Sequence, residues 1–147
     1  MPAGVKVVAG EFEDLVQVGL RQFITEDPNL ELVAAEVPLT ELSDAVEQHS
    51  PAVVLLNFGS LPSPATVHQL HERHPDTRIV VLANRPTAAE CNQMLSFGAT
   101  ACISKETQGR DIINAIHLAS RGMHVLPRSA AEGMMNQGGM ARPGPDL

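Results

Sequence analysis

The sequence predicts an α/β fold in which a five-stranded parallel sheet carries helices on both faces. Three short runs rich in apolar and β-branched residues lie at 5–8, 52–56 and 78–82. Unbroken hydrophobicity of this kind is typical of strands that are buried on both faces. Because predicted strands and helices alternate five times along the chain, right-handed crossovers would build one doubly wound sheet.

Two weaker apolar runs, at 30–34 and 100–103, complete the predicted strands. The first helix begins near Asp14, and Pro28 stops it because proline cannot continue a helix. Helical spacing predicts one wide buried stripe on it. That stripe contains Leu15, Val16, Gly19, Leu20, Phe23 and Ile24.

The other four helices are bounded by residues that favour helix ends. Threonine hydroxyls accept hydrogen bonds from orphan backbone N–H groups, proline fits a first turn, and glycine adopts the left-handed conformation after a last turn. The expected starts are Thr40, Pro64, Pro86 and Thr107. The expected stops are Pro51, Pro75, Gly98 and Gly122.

The composition excludes several classes of function. The chain has 147 residues, which suits one domain, and its hydrophobic content of 44% is enough for a core. Ten Lys and Arg stand against 17 Asp and Glu, a net charge of −7, so a DNA-binding surface of clustered cations is not expected. There is no run of ~18 apolar residues and no signal-peptide layout. We therefore expect a cytoplasmic domain that does not contact a membrane.

The two cysteines and three of the histidines are candidates for a redox pair and a metal site. Cys91 and Cys102 are too few for a disulfide framework and fit a reducing cytosol. Cys102 is best read as a small buried hydrophobe, with a redox pair as the alternative. The histidines at 68, 71 and 74 recur at helical spacing, as in some zinc sites, but no Cys or carboxylate completes a tetrahedral set. A solvated polar face is the preferred interpretation.

The chain divides near residue 127. Residues 1–127 contain all the predicted strands and helices, and we expect them to form the domain. Residues 128–147 are rich in Gly and Pro and keep no apolar period, which predicts a linker or tail.

Five segments resemble one protein family. They read VVAGEFEDLVQVGLRQFI, PAVVLLNF, HPDTRIVVL, FGATACISKE and DIINAIHLASRGMHVLP. Their order and spacing resemble response-regulator receiver domains of two-component phosphorelays, in the branch attached to NarL/FixJ (LuxR-type) helix-turn-helix domains. The resemblance implies a flavodoxin-like (βα)5 fold with its site beyond the carboxyl ends of the strands.

Receivers of this family carry an acidic pair that helps to hold Mg²⁺, a phosphoacceptor Asp, a Ser or Thr, and a Lys. A carboxylate attacks phosphorus there, while the cation and the lysine offset charge. The matching positions in this chain are Glu11, Phe12, Asn57, Ala83 and Lys105. An amide is neither a nucleophile nor a strong Mg²⁺ ligand, so the resemblance implies a degenerate pocket with lost or weak Mg²⁺ binding and no other cofactor.

The resemblance then implies an atypical, non-enzymatic receiver module that regulates transcription without aspartyl phosphorylation. We expect Glu11 and Lys105 to pair directly, with Asn57 hydrogen-bonding nearby. The alternative is a small-metabolite sensor whose ligand occupies the degenerate pocket beside Phe12.

Partners follow from the same resemblance. Ile113 and Leu118 flank the inward face of the last helix, so we expect a homodimer or docking surface on it, with helix one or four contributing. DNA would be reached only through a C-terminal helix-turn-helix domain that the 147 residues do not contain. Two cases stay open: a segment that ends in the linker, or a stand-alone receiver.

Overall fold

The computed structural model describes residues 4–126 and confirms the predicted architecture. All strands are parallel, in the order β2-β1-β3-β4-β5. The strands are β1 (Val5–Gly10), β2 (Leu30–Val37), β3 (Val53–Asn57), β4 (Arg78–Ala83) and β5 (Ala101–Ser104). The predicted tail at 128–147 and the boundary at 127 lie outside the described residues.

Within the described part of the chain, five α-helices cover the sheet. They are α1 (Asp14–Glu26), α2 (Leu39–His49), α3 (Ala65–Arg73), α4 (Ala88–Ser96) and α5 (Gly109–Ser120). A 3-10 turn at Phe58–Ser60 follows β3. None of the helices within residues 4–126 has the length and apolar content that crossing a membrane requires.

The core consists of one layer on each face of the sheet. On the first face, Ile24 of α1 and Ile116 of α5 pack against β1, β3 and β4. On the second face, Val46 of α2, Val67 of α3 and Met94 of α4 pack against the same central strands. The central strands are buried from both sides, which is why their sequences are continuously apolar rather than alternating.

The predicted stripe of α1 is only partly buried. Leu20 and Ile24 lie in the core, whereas Leu15 and Phe23 are exposed together with Val18. Helical spacing identifies apolar faces but not how far the sheet extends beneath them. The wide stripe therefore covers both a core face and a surface face.

The start of α4 lies one residue beyond the expected one. Thr87 is its N-cap rather than Pro86 at a first turn. The Thr87 hydroxyl accepts a hydrogen bond from the N–H of Glu90 at 3.1 Å, and the Glu90 carboxylate accepts one from the N–H of Thr87 at 2.9 Å. This reciprocal capping box satisfies two backbone donors and fixes the helix start.

The expected caps of α2 and α5 are also displaced. Pro38 and Gln108 hold the cap positions, while Thr40 lies inside α2 and Thr107 precedes the cap of α5. Neither cap residue uses its side chain, and both have extended backbone angles. Backbone conformation rather than hydroxyl chemistry therefore begins these two helices.

The chain beyond α5 returns to the sheet. Gly122 turns it with a φ of 83°, and Val125 then pairs in parallel with Ala101. The N–H of Cys102 donates to the Val125 carbonyl at 3.0 Å, and the N–H of Val125 donates to the Thr100 carbonyl at 3.2 Å. This short segment covers part of the β5 edge, whose backbone groups would otherwise be open.

A polar contact joins the ends of α1 and α5. His117 Nε2 lies 3.0 Å from Asp27 Oδ2, and both side chains are largely buried. The hydrogen bond with His117, followed by one from the backbone N–H of Asn29, holds the pKa of Asp27 below its ordinary value. The two helices that flank the candidate site on one face are thus tied at their far ends.

Candidate functional site

The residues predicted from the sequence meet at one edge of the sheet. They end or follow four of the strands: Glu11, Phe12, Asn57, Ala83 and Lys105. Parallel strands bring their carboxyl ends to the same edge, where sites form in doubly wound sheets. The backbone N–H of Lys105 donates to the Ala83 carbonyl at 2.8 Å, which fixes the lysine directly beside the end of β4.

Phe12 is buried in the core at this edge of the sheet. Its side chain is 8% exposed and packs into the core cluster with Leu20 of α1. The void that it lines beneath α1 measures about 10 Å³, room for one water molecule at most. The Lys105 ammonium lies 6.0 Å from the ring centroid, within range of a cation–π contact.

Lys105 is neutralised by Glu13 and not by Glu11. The Lys105 Nζ lies 2.9 Å from each oxygen of the Glu13 carboxylate. The lysine side chain is 4% exposed and that of Glu13 is 53% exposed. The expected Glu11–Lys105 pair is wrong, because Lys105 pairs with Glu13 and Glu11 is exposed. The hydrogen bond from Lys105 holds the pKa of Glu13 below its ordinary value.

Sequence reasoning missed Glu13, although a signal was present. Residues 11–13 read Glu-Phe-Glu. Because the side chain of Phe12 turns into the core, the carboxylates of Glu11 and Glu13 lie on either side of it along the chain. The carboxylate of Glu13, which is nearer to α1, reaches Lys105. Glu13 also holds the cap position of α1, where a negative charge meets the positive end of the helix dipole.

Asn57 has a structural role at the end of β3. Its Nδ2 donates to the Glu11 carbonyl at 3.2 Å, and its Oδ1 accepts from the Gly59 N–H at 3.1 Å. The amide thus joins the loop after β1 to the 3-10 turn after β3. A carboxylate at this place could accept the second bond but could not donate the first.

The end of β4 offers no hydroxyl. Ala83 is buried, and the loop that follows is linked to the β5–α5 loop by an exposed ion pair, with Arg85 Nε 3.1 Å from Glu106 Oε2. Arg85 has a φ of 45°, in the left-handed region. An exposed pair of this kind contributes little to stability, so the loop is positioned mainly by its backbone.

The histidines at 68, 71 and 74 contact three different groups. His68 lies 3.4 Å from the Glu72 carboxylate, His74 hydrogen-bonds Ser43 at 2.8 Å, and a Cβ at Gly98 would collide with the ring of His71. Across residues 4–126, no group of three or more His, Cys, Asp or Glu side chains is arranged to hold a metal ion.

The two residues predicted for a docking surface are less exposed than expected. Ile113 is buried in the core, and Leu118 is half-buried. Exposed apolar side chains lie instead on α1, at Leu15, Val18 and Phe23.

A cleft of about 300 Å³ separates α1 from α5. Its walls are mostly apolar and include Gly19 and Ile112, and Lys105 and Thr107 lie at its polar end. The space beside Gly19 is open: a Cβ atom placed on this glycine would have no neighbour within 4 Å.

Comparisons with known sequences point to one class of regulator. No protein-family model matches the chain. It is similar to the transcriptional regulatory protein DegU of Brevibacillus brevis, with 22% identity over 120 residues that cover 80% of this chain and 51% of DegU. It is also similar to a nitrate/nitrite response regulator homologue of Haemophilus influenzae, with 26% identity over 127 residues that cover 85% and 61% of the two chains. The chain spans about half of DegU and less than two thirds of the second relative.

Solved structures share the fold. A LuxR-family two-component response regulator from an Aurantimonas species aligns with a TM-score of 0.82 at 16% identity, covering 92% of this chain and 98% of the other. The signal receiver domain of a NarL response regulator from Mycobacterium tuberculosis aligns with a TM-score of 0.74 at 21% identity, covering 82% and 99%.

The strand order, the site at the strand ends and the lysine after β5 define a receiver-like domain. The sequence relatives and the solved structures together support a receiver-like domain of the NarL branch of response regulators, as the resemblance predicts.

Proposed function

We propose that this receiver-like domain serves transcriptional regulation without phosphorylation at residue 57 and without Mg²⁺, as a non-enzymatic module. The observation that carries the proposal is the pairing of Lys105 with Glu13 inside the chain at 2.9 Å. The charge of Lys105 is already neutralised by Glu13, and the lysine lies next to a buried phenyl ring. Lys105 is therefore not free to bind a phosphoryl group.

The chemistry of the remaining side chains supports the same proposal. Phosphoryl transfer to a side chain needs a nucleophile and a way to offset developing charge. Asn57 supplies a neutral amide whose two ends are hydrogen-bonded, and Ala83 supplies a methyl group. Mg²⁺ requires near-octahedral oxygen ligands, whereas Phe12 occupies the acidic position with carbon atoms.

The test is exposure of the full chain to acetyl phosphate and, separately, to beryllofluoride, each with Mg²⁺. We expect the intact mass, the sedimentation coefficient and the melting temperature to stay unchanged. A stable phosphoryl adduct at residue 57, or a shift in assembly on adding beryllofluoride, would contradict the proposal. A receiver that retains the acidic pair and the Asp serves as the positive control.

We further propose that DNA is reached through a helix-turn-helix segment joined to this domain. Support comes from the relatives, which are named as transcriptional regulators and of which the chain spans about half to less than two thirds. Extending the reading frame past Leu147 tests this directly, and a stop codon at that point would favour a stand-alone receiver that acts on another regulator.

We also propose that the domain forms a homodimer, with its contact centred on α1. The exposed Leu15, Val18 and Phe23 lie on one helix, and the segment between Leu15 and Gln22 has no carboxylate in a chain of net charge −7. Gly19 leaves open space at its Cβ position, so the backbone of a second α1 can approach closely there. A twofold axis brings the same apolar patch together from both copies.

Sedimentation equilibrium over a dilution series tests the dimer. We expect the wild type to dissociate on dilution, and a Leu15→Gln/Val18→Gln variant to stay monomeric at all concentrations. Met123→Gln is the matched control, because Met123 is also exposed and apolar but belongs to the segment that follows α5. A wild type that is monomeric at high concentration would overturn this proposal.

The alternative function is a small-metabolite sensor. The cleft of about 300 Å³ between α1 and α5 favours it, because the size and the apolar walls suit a small ligand. Lys105 at one end suits a carboxylate, which can exchange with Glu13. A thermal-shift screen with apolar carboxylates tests this proposal. A ligand at about 100 times its Kd raises the free energy of unfolding by about 2.7 kcal/mol. Gly19→Leu should fill the cleft and abolish any rise in melting temperature. If the wild type shows no such rise, the tested ligands do not bind.

A further inference from the structure

Two buried thiols face each other outside the strand-end site. Cys91 lies on α4 and Cys102 on β5, both are free, and neither has any exposed surface. Their Sγ atoms are 3.1 Å apart. The surrounding side chains on this face of the sheet are apolar, and they include Val81 and Met94.

We propose that Cys91 and Cys102 form a redox site that a small uncharged peroxide converts into an intramolecular disulfide. A disulfide bond is about 2.05 Å long, so the sulfur atoms need to approach by only about 1 Å. The pair joins a helix to the strand beneath it, so bond formation does not require two distant parts of the fold to meet.

The reaction balances with hydrogen peroxide as the oxidant. The sulfur of Cys91, after loss of its proton, attacks one peroxide oxygen, the O–O bond breaks, and the leaving hydroxide takes up the proton to become water. The resulting sulfenic acid is then attacked by the sulfur of Cys102, the S–O bond breaks, and a second water leaves with the thiol proton. Two thiols are oxidised to one disulfide, and one peroxide is reduced to two waters.

Burial sets the kinetic character of this site. It is the main reason why the pKa of both thiols is raised, so little thiolate is present and the first step is slow. Large or charged oxidants do not reach sulfur atoms with no exposed surface. Once one sulfur becomes a sulfenic acid, the neighbour at 3.1 Å captures it before a second peroxide arrives. The pair therefore resists the irreversible sulfinic and sulfonic states.

The bond would affect the candidate site through its position. Helix α4 follows the loop after Ala83, and β5 leads directly into Lys105. A disulfide between Cys91 and Cys102 would hold these two segments at a fixed separation, in a domain whose pocket has no phosphoacceptor Asp. Peroxide would thus affect the strand-end edge of the sheet through a disulfide bond instead of through phosphorylation.

The test uses the full chain, fully reduced and then exposed to hydrogen peroxide. After quenching, denaturation and alkylation, we expect a species lighter than the reduced chain by two hydrogen atoms that takes up no alkyl group. Digestion with chymotrypsin, which cuts after Phe97, should give two peptides joined by a bond between Cys91 and Cys102. Dithiothreitol should restore both thiols, and the melting temperature should be higher in the oxidised form.

Single cysteine variants distinguish the chemistry of the pair from that of each cysteine alone. In Cys91→Ala and Cys102→Ala, the remaining thiol has no partner, so prolonged exposure should give sulfinic acid instead of a disulfide. Circular dichroism establishes that each variant is folded. The wild-type product decides the question independently: a disulfide between chains, a sulfinic acid in the wild type, or thiols that react only after unfolding in urea would each overturn the proposal.

Discussion

At position 12, a phenyl ring stands where receivers of this branch carry a carboxylate, and it determines what the rest of the pocket can do. The ring is buried, and its carbon atoms offer no oxygen ligand at this position. Asn57 and Lys105 are then free to take internal partners, the Glu11 carbonyl and the Glu13 carboxylate. The side chains of Asn57 and Lys105 therefore both have partners within the chain.

This interpretation predicts which substitutions restore phosphorylation. Asn57→Asp alone should remain unlabelled by acetyl phosphate, because Phe12 still occupies the position of a metal ligand. Phe12→Asp combined with Asn57→Asp should bind Mg²⁺ and accept the phosphoryl group, as measured by titration calorimetry and intact mass. Circular dichroism checks that the double variant is folded. Equal labelling of the single and the double variant would show that Phe12 is not what excludes the ion.

The Lys105–Glu13 pair predicts a pH-dependent stability. Because the pKa of Glu13 is lowered in the folded state, its contribution is fully present above the unfolded pKa of about 4.3 and is lost as the pH falls through the lowered value. Glu13→Gln should therefore destabilise the domain in urea unfolding at about pH 7 and much less at about pH 3. Glu11→Gln is the matched control and should have little effect at either pH. A larger loss for Glu11→Gln would reverse the assignment of the partner.

The candidate site shows what a sequence can and cannot specify at this scale. Strand ends located Phe12, Asn57 and Lys105 at one edge, because parallel strands leave no other arrangement. The partner of Lys105 could not be chosen in the same way. Glu11 and Glu13 are two residues apart, and which of them reaches the lysine depends on the inward turn of Phe12, a packing outcome that no local pattern encodes.

Among the helices, α4 has the most explicit N-terminal signal. Its capping box satisfies two backbone N–H groups by side chains of the same turn. Thr87→Ala should cost about 1 kcal/mol of unfolding free energy, within the usual range of about 0.5–2 kcal/mol for a lost cap. Thr25→Ala, the same substitution on the exposed surface of α1, should change stability far less. Chemical denaturation of both variants measures the difference, and equal costs would mean that the box is not stabilising.

The order of the elements was predictable, while helix ends and exposed faces were less so. Central strands such as Val53–Asn57 show as unbroken apolar runs because helices cover them on both sides. Thr40 and Thr107 are plausible caps by residue type, yet an adjacent backbone turn sets the helix start in each case. Leu15 and Phe23 have the spacing of a core face, but only Leu20 and Ile24 of this helix are buried.

At the scale of the whole molecule, the sheet has one edge strand of eight residues, β2, and one of four residues, β5. Edge strands present unpaired backbone groups that can recruit other chains. The segment after α5 covers part of the β5 edge through two hydrogen bonds with Val125, and Val125 and Leu126 each pack against one of the two core layers. Residues 123–126 are thus part of the folded domain, although they follow its last helix.

Ending the chain after Leu126 or after Gly122 tests this role. The longer form should match the full chain in urea unfolding, because the contacts of Val125 and Leu126 are kept. The shorter form loses two backbone hydrogen bonds and the burial of two apolar side chains, and it should be less stable by about 2–4 kcal/mol, at roughly 0.5–1 kcal/mol for each of these losses. Its open β5 edge should also raise its tendency to aggregate, as measured by light scattering during refolding. Equal stability of the two forms would show that the domain is complete at Gly122 and that the edge segment is dispensable.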